Sequence, residues 1–403
     1  MYDDSSNGFR TLIVPLSATS PAVLHSILAV SAFAMRRFNP FFKALALEQK
    51  EKTVHYIRSM IRCYEPDSLM GALATAIMLC VFEIKDGCSP VWESHIKGAI
   101  ALLRSLSSQQ KHGSSASWMS GLTWWANKYL AYQYVNGYST QMIDVEEVCD
   151  PLFWLSPDKD VAEIEGLMGC SSILMATIAN IRRIAHIRKQ PATQGSVAVP
   201  DEEVQDIEST LFSLVQRVQS VPGRYLLSES TPTEQTVCLI GDSDEVPLHA
   251  KTLILAGEAR RQSALMFLYG SVLKLSPKHS AMRSRVSKCL ICLKAVSFGE
   301  EEAGSAGTVV LPRWGMSPLL WPLFMTGLFS TEHDRPAILD MLRKLEDKGS
   351  LGNVGSVRLK LMKVWKNQDL RDTLSVSGSD EQKGNRAWPV LGLSPKDWPL
   401  SLG

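Results

Sequence analysis

The chain has almost no charge of one sign to spare. Its 403 residues carry 42 lysines and arginines against 41 aspartates and glutamates, a formal net charge of +1. So even a balance supplies no broad field to hold a polyanion, and autonomous nucleic-acid binding gains nothing from bulk charge. Long hydrophobic runs are missing as well: Leu69–Phe82 is apolar but too short to span a bilayer, and reads as a core helix. The first residues, MYDDSSNGFR, are acidic and polar, without the basic n-region and apolar core of a secretory signal. A soluble, intracellular chain with no membrane partner is the expectation. Chemistry-bearing motifs are also absent. There is no Walker loop, GxGxxG, GxSxG or HExxH, no paired acidic cluster of the DDxxD type, and no two histidines stand at the i, i+4 spacing of a helical zinc site. No residue is nominated as catalytic, cofactor-binding or metal-ligating, and no cofactor is expected.

The residues that could still suggest chemistry have plainer readings. Five of the eight cysteines (Cys63, Cys80, Cys170, Cys289 and Cys292) lie in apolar, helix-like segments, where a reduced thiol behaves as a small hydrophobe. A disulfide framework does not suit this chain length and compartment. Cys289 and Cys292 form the only CxxC, but it sits mid-helix between Val286 and Val296 without a second ligand pair, so core packing is the reading. His95, among Trp92, Ile96 and Ala99, reads as a satisfied, partly buried imidazole. Asp144, Glu146 and Glu147 read as solvated carboxylates near a helix start. The densest basic cluster, Arg182, Arg183, Arg188 and Lys189, offers a phosphate contact or import signal, with a solvated helix face as the plainer reading. The aromatics Trp118, Trp124, Trp125, Tyr129, Tyr132 and Tyr134 could line a small-molecule cavity, with core packing favoured.

What the sequence has in abundance is helical periodicity. From Pro21 it places Leu24, Ile27, Leu28, Ser31 and Met35 on one face, with Ser20 as N-cap and Asn39-Pro40 as the stop. Phe41–Tyr64 follows, with Leu45, Val54, Ile57 and Ile61 apolar. A third helix starts at Asp67 or Ser68 and stops at Asp86-Gly87. A fourth starts at Ser89-Pro90, with Val91, Ile96, Ile100 and Leu103 at helical spacing. Short connections imply packed antiparallel neighbours. After a polar break at Ser107–Ser117, helical patterns resume over Asp160–Lys189, Asp201–Val221, His249–Leu275 and Lys278–Phe298. Gln190–Val199, Ser228–Asp244 and Gly299–Ala306 read as loops and Ser375–Arg386 as a disordered tail. The fold class is all-α: one large multi-helix domain of packed antiparallel helices with irregular loops over 1–374, and a flexible tail over 375–403.

One segment stands apart: WGMSPLLWPLFMTGLF, Trp314–Phe329, has no charged side chain and two internal prolines. At 16 residues it is too short to cross a bilayer, so it must be a helix buried on several sides. With His333-Asp334-Arg335 and Lys363-Val364-Trp365 downstream, it resembles the closing part of the fungal-specific transcription factor domain. Three further segments resemble that domain in order: Asn7–Ala32, Ala76–Leu106 with Trp92, His95 and Gly98, and Glu258–Gly270, EARRQSALMFLYG. The resemblance implies a nuclear, non-enzymatic transcription regulator, with a metabolic or secondary-metabolite gene cluster among its conceivable targets. It implies partners in the transcription machinery or a DNA-binding relative, and leaves room for a small-molecule effector. Two rivals stay open, a non-DNA-binding partner or inhibitor of a full-length relative, and an all-α pathway enzyme. The family's usual six-cysteine zinc cluster does not precede Asn7, and Cys63 is the first cysteine. The sequence thus reads as the regulatory domain without its DNA reader, either a stand-alone regulator or a gene model missing its first exon.

A DNA-binding titration tests the charge argument. The 403-residue chain is expected to bind duplex DNA weakly and without sequence preference at physiological salt, since one basic cluster neutralises few phosphates. Tight, selective binding to promoter fragments over random duplex would contradict it.

Overall fold

The computed structural model is all-α in class, as the periodicity requires. It describes residues 7–63, 65–110, 117–136, 160–166, 168–188, 200–218, 227, 235, 246–297, 309–310, 317–347 and 352–376. Within these, a π-helical turn, Phe9–Ile13, leads into α1 (Val14–Leu16) and α2 (Pro21–Met35). Then come α3 (Phe41–Cys63), α4 (Pro66–Lys85), α5 (Val91–Gln110) and α6 (Ser117–Asn136). Strands β1 (Ile164–Glu165) and β2 (Cys170–Ser171) precede α7 (Ser172–Ile187), α8 (Asp201–Ser213), α9 (Leu248–Ser271) and α10 (Ser280–Ala295). After β3 (Val296–Ser297) and β4 (Val309–Val310) come α11 (Ser317–Phe329), α12 (Arg335–Asp347) and α13 (Asn353–Val376). The chain forms two compact units. The first takes its described residues from Met1–Ile143 and Gly349–Ser356, the second from Asp144–Lys348 and Val357–Asp397.

The first unit is built around α4. Fifteen of its 20 residues are buried, from Leu69 to Ile84, so this helix is enclosed by α2, α3, α5 and α6. It is long and apolar enough to cross a membrane, but 83% of its most apolar window lies inside the fold, which marks it as a core helix. It begins two or three residues earlier than a cap at Asp67 or Ser68 suggests. Pro66 takes the first helical position, where its missing N–H costs nothing. Asp86-Gly87 ends it as expected, with Gly87 at φ +79 in the left-handed region.

The sequence misassigns the inner face of α2. Ser20 does cap it, accepting from the Val23 N–H. But the buried stripe is Ala22, Val23, Ser26, Ala29 and Phe33, and Leu24, Leu28 and Met35 are exposed. Small side chains let α2 lie close against the Ala46, Gln49 and Thr53 stripe of α3. The larger residues are left on the opposite side. On α3 only Ala46, Gln49 and Thr53 are buried, and Ile61 is exposed.

In the second unit the enclosed element is α11. Leu319, Leu320, Trp321, Leu323, Phe324, Met325, Leu328 and Phe329 are all buried, and α9, α10 and α12 pack around them. Trp321 meets Phe267 edge-on, with ring centroids 6.4 Å apart, and the Arg260 guanidinium lies 5.5 Å over its ring. Pro322 sits inside the helix. Gly327 is required by close approach, because a Cβ there would come within 2.6 Å of Leu361 Cδ1. Its carbonyl, at the helix end where no intrahelical donor remains, accepts from Trp365 Nε1 and from Ser330 Oγ, each at 2.8 Å. The apolar segment and its downstream tryptophan therefore work as one packing unit.

Three long helical patterns are shorter than the periodicity suggests. Asp160–Lys189 holds the antiparallel β1–β2 pair, turning through Gly169 at φ +64, before α7 begins at Ser172. Asp201–Val221 is helical only to Ser213, and Arg217 bridges to Glu163 in extended form. Lys278–Phe298 is helical from Ser280 to Ala295 and ends in β3, which pairs in parallel with β4. Apolar residues at helical intervals mimic a helix there, while glycines and β-branched residues set the local backbone. Ser107–Gln110 extends α5 into the predicted break. Leu152–Leu155, Gln190–Val199 and Gly299–Ala306 lie outside the described residues, as does most of Ser228–Asp244. The described chain ends within α13, which carries Ser375 and Val376.

Trp321→Ala is expected to destabilise the protein by roughly 3–5 kcal/mol, the range for truncating a buried tryptophan. Its denaturation midpoint against wild type is the measurement, and an unchanged midpoint would contradict the enclosed position.

Candidate functional site

Most residues that could have carried chemistry are occupied with structure. Cys289 and Cys292 are fully buried on α10. The Cys289 thiol donates to the Ala259 carbonyl at 3.4 Å and lies 3.1 Å from Thr326 Oγ1. Burial pushes it up to about 11, outweighing the hydrogen bonds of Thr326 and Ser263. Cys80 and Cys170 are buried too, whereas Cys63 is exposed at the end of α3 rather than in the core. The basic cluster is neither a free phosphate grip nor a merely solvated face. Arg183 pairs with Glu203, and Arg188 with Asp201 at 3.1 Å, both from the first turn of α8. Lys189 lies outside the described residues.

The aromatic group splits. Trp125, Tyr129 and Tyr132 are buried, and Phe9 wedges against the first two, with ring centroids at 4.9 and 5.4 Å. Trp125 and Tyr129 stack at 5.4 Å. Trp124 is exposed beside Lys128, whose Nζ lies 4.9 Å from its ring. Trp125, Tyr129 and Tyr132 form core, not a cavity wall. The side chains of Trp118 and Tyr134, like Asp144, Glu146 and Glu147, lie outside the described residues.

Two polar arrangements were not legible as sites. The first surrounds Glu83, a lone acid in the apolar run of α4. Lys50 Nζ reaches its Oε1 at 2.5 Å, Ser89 Oγ donates to Oε2 at 2.5 Å, and His95 Nε2 stands 3.9 Å away, beyond hydrogen-bond distance. His95 is thus partly buried as expected, with its Nε2 facing the Glu83 carboxylate. Burial works to raise the Glu83 carboxyl, but His95, Lys50 and Ser89 outweigh it and hold it at about 2. The group therefore remains an anion and ties α4 to α3 and to the turn that precedes α5. Gly98, one helical turn beyond, faces solvent with nothing packed on it.

The second lies within EARRQ on α9. Arg261, fully buried, makes a two-pronged contact with Glu258, Nε and Nη2 each at 2.8 Å, and donates through Nη1 to the Leu211 carbonyl at 2.7 Å. Gln262 also donates to Glu258, at 2.7 Å. A fully hydrogen-bonded charge pair is what burial at this depth demands.

An accessible groove of about 520 Å³ lies between α12 and α13. Leu339, Met362, Trp365 and Leu370 give it an apolar floor, and Glu332, Arg335, Lys366 and Asp369 a charged rim. Arg335 holds the Asp369 carboxylate through Nη1 at 2.8 and 2.9 Å, donates to Gln368 at 3.2 Å, and lies 5.4 Å over the Trp365 ring. Neighbouring Asp334 pairs with Arg283 at 2.8 Å, and His333 is exposed. On α13, Leu359, Met362, Lys366 and Leu370 share one helical face, and the three apolar ones are about half exposed. Such a groove suits an amphipathic segment, not a reaction. Among the described residues, no three His, Cys, Asp or Glu side chains come together as a metal cage.

A family model described as the fungal specific transcription factor domain matches residues 1–403. No curated protein and no solved structure matches the chain.

Acid titration checks the Glu83 cluster. A carboxyl held at about 2 against 4.5 unfolded adds stability above the unfolded value, and that stability is lost as pH falls towards 2. Urea midpoints at pH 7 and pH 3 should therefore differ less in Glu83→Gln than in wild type.

Proposed function

The chain belongs to the fungal-specific transcription factor domain family, and on that premise we propose that it regulates transcription through protein contact at the α12–α13 groove. The family itself supports a role in transcription regulation. The finer reading rests on one observation: Arg335 and Trp365, the downstream residues of the signature segment, line the groove whose apolar floor is open to solvent. The occupant is an amphipathic helix of a protein in the transcription machinery or of a DNA-binding relative. Leu359, Met362 and Leu370 offer helically spaced anchors, and Lys366 and Asp369 offer rim charges of both signs. The action is non-enzymatic and takes place in the nucleus. Glu83, Glu258, Cys289 and Cys292 are engaged in packing or ion pairs, which favours a scaffold over a catalyst.

Fused to a heterologous DNA-binding module, the chain is expected to change reporter expression in a fungal host. Met362→Glu and Leu370→Glu should each reduce that change about tenfold or more by placing a charge in the apolar floor. Both positions are exposed, so thermal melting should stay close to wild type. Full reporter activity in the double variant would remove the groove from the mechanism.

A further inference from the structure

The α12–α13 groove lies at the end of its helix pair from which the chain departs. Arg335 pairs with Asp369 and Arg358 with Glu346, each at 2.8 Å, so α12 and α13 run antiparallel. The first turns of α12 therefore stand beside the last turns of α13. Arg335 and Leu339 line the groove from the one, Met362, Trp365 and Leu370 from the other. After Val376, where α13 ends, come eleven residues, SGSDEQKGNRA at 377–387, that include no large apolar side chain. The sequence then turns apolar in WPVLGL, Trp388–Leu393.

We propose that Trp388–Leu393 occupies this groove in the same molecule and keeps the partner helix out until it is displaced. The inference rests on the reading of the groove as the regulatory contact. Reach supports it first. Leu370 and Met362 stand six and fourteen residues before the end of α13, about 9 and 21 Å at 1.5 Å per residue. A spacer of eleven residues has an average end-to-end distance of roughly 17–20 Å, which sets Trp388 over the floor. Composition supports it second. Met362 is 46% and Leu370 53% exposed on that floor, and Trp388, Val390, Leu391 and Leu393 offer apolar surface to cover them. Pro389 favours an extended course, the form in which proline-containing segments meet aromatic-lined grooves.

Tethering makes a weak contact sufficient. A short linker presents its segment at an effective concentration of about 1 mM. For a segment that binds alone at about 0.1 mM, the groove is then closed roughly ten times as often as it is open. A partner in trans binds roughly tenfold more weakly as a result. The same segment on another molecule has no such advantage at micromolar protein, which selects the chain's own segment over a second copy's. Displacement by the partner turns a standing contact into a regulated one.

A fluorescein-labelled synthetic peptide, Trp388–Leu402, reads whether the groove is open in the 403-residue chain. Fluorescence anisotropy is measured on wild type, on the double variant Trp388→Asp/Leu391→Asp, and on that variant with Met362→Glu added. The double variant is expected to bind the peptide about tenfold more tightly than wild type, whose groove is already filled. Met362→Glu should remove that binding, and Leu370→Glu on the same floor provides the second reading if Met362→Glu melts early. Equal binding by wild type and the double variant overturns the proposal. So does no binding by the double variant at millimolar peptide, or binding that ignores both floor variants. A sedimenting dimer that the double variant dissolves overturns it as well, because the segment would then sit in a second copy's groove. The reporter fusion separates this contact from the reading it rests on. Peptide binding that behaves as expected beside a reporter indifferent to Met362→Glu leaves the segment in the groove and refutes the regulatory contact alone. A reporter that falls in Met362→Glu without any peptide binding refutes the segment alone. Where both hold, the double variant should raise the reporter response by up to about tenfold.

Discussion

Each unit of this protein depends on one helix that is apolar on all sides and has to be enclosed. In the first unit that helix is α4, buried from Leu69 to Ile84 save for Val81. In the second it is α11, buried from Leu319 to Phe329. A helix with no polar face cannot rest on a surface, so its neighbours must surround it, and their inner faces are selected by what it offers. The surrounding helices then need only one apolar stripe each. This is why α3 and α12 read as amphipathic helices with few buried positions.

Enclosure makes polar groups inside expensive, and the structure answers several of them with specific partners. Glu83 on α4 is met by Lys50 and Ser89. Thr326 on α11 returns its hydroxyl to the Pro322 carbonyl at 2.7 Å, and the Gly327 carbonyl is capped by Trp365. On α9, Glu258 and Arg261 satisfy each other. These contacts are directional where apolar burial is not, so they fix the rotation and register of helices that could otherwise slide. Glu258 and Trp365, which lie in or close to the segments that resemble the family, are thus fasteners of the core.

That division explains the errors as well as the successes in reading the sequence. The start of α2 and the stop after α4 were legible because Ser, Pro and Gly act on the backbone within one turn. The β1–β2 hairpin within Asp160–Lys189 was not, because Val161, Ile164 and Met168 keep helical intervals while Gly169 turns the chain. The groove was hidden because its floor combines α12 with α13, and no local pattern pairs Leu339 with Leu370. A lone glutamate in MLCVFEI is a signal that could have pointed to the Glu83 cluster, since a carboxylate in such a run needs partners.

By itself the sequence determined the all-α class, the existence of two helices that must be buried, and, through segments in a fixed order, the family. These follow from local periodicity and composition, which act within a few turns. Tertiary structure alone decided which face of a helix turns inward. On α2, leucines and a methionine outrank alanines and serine on any hydrophobicity scale, yet Ala22, Ser26 and Ala29 are inside with Val23 and Phe33, because that side is the one packed against α3 and α4. Packing distance between helices is a property of the pair, and neither helix carries it alone.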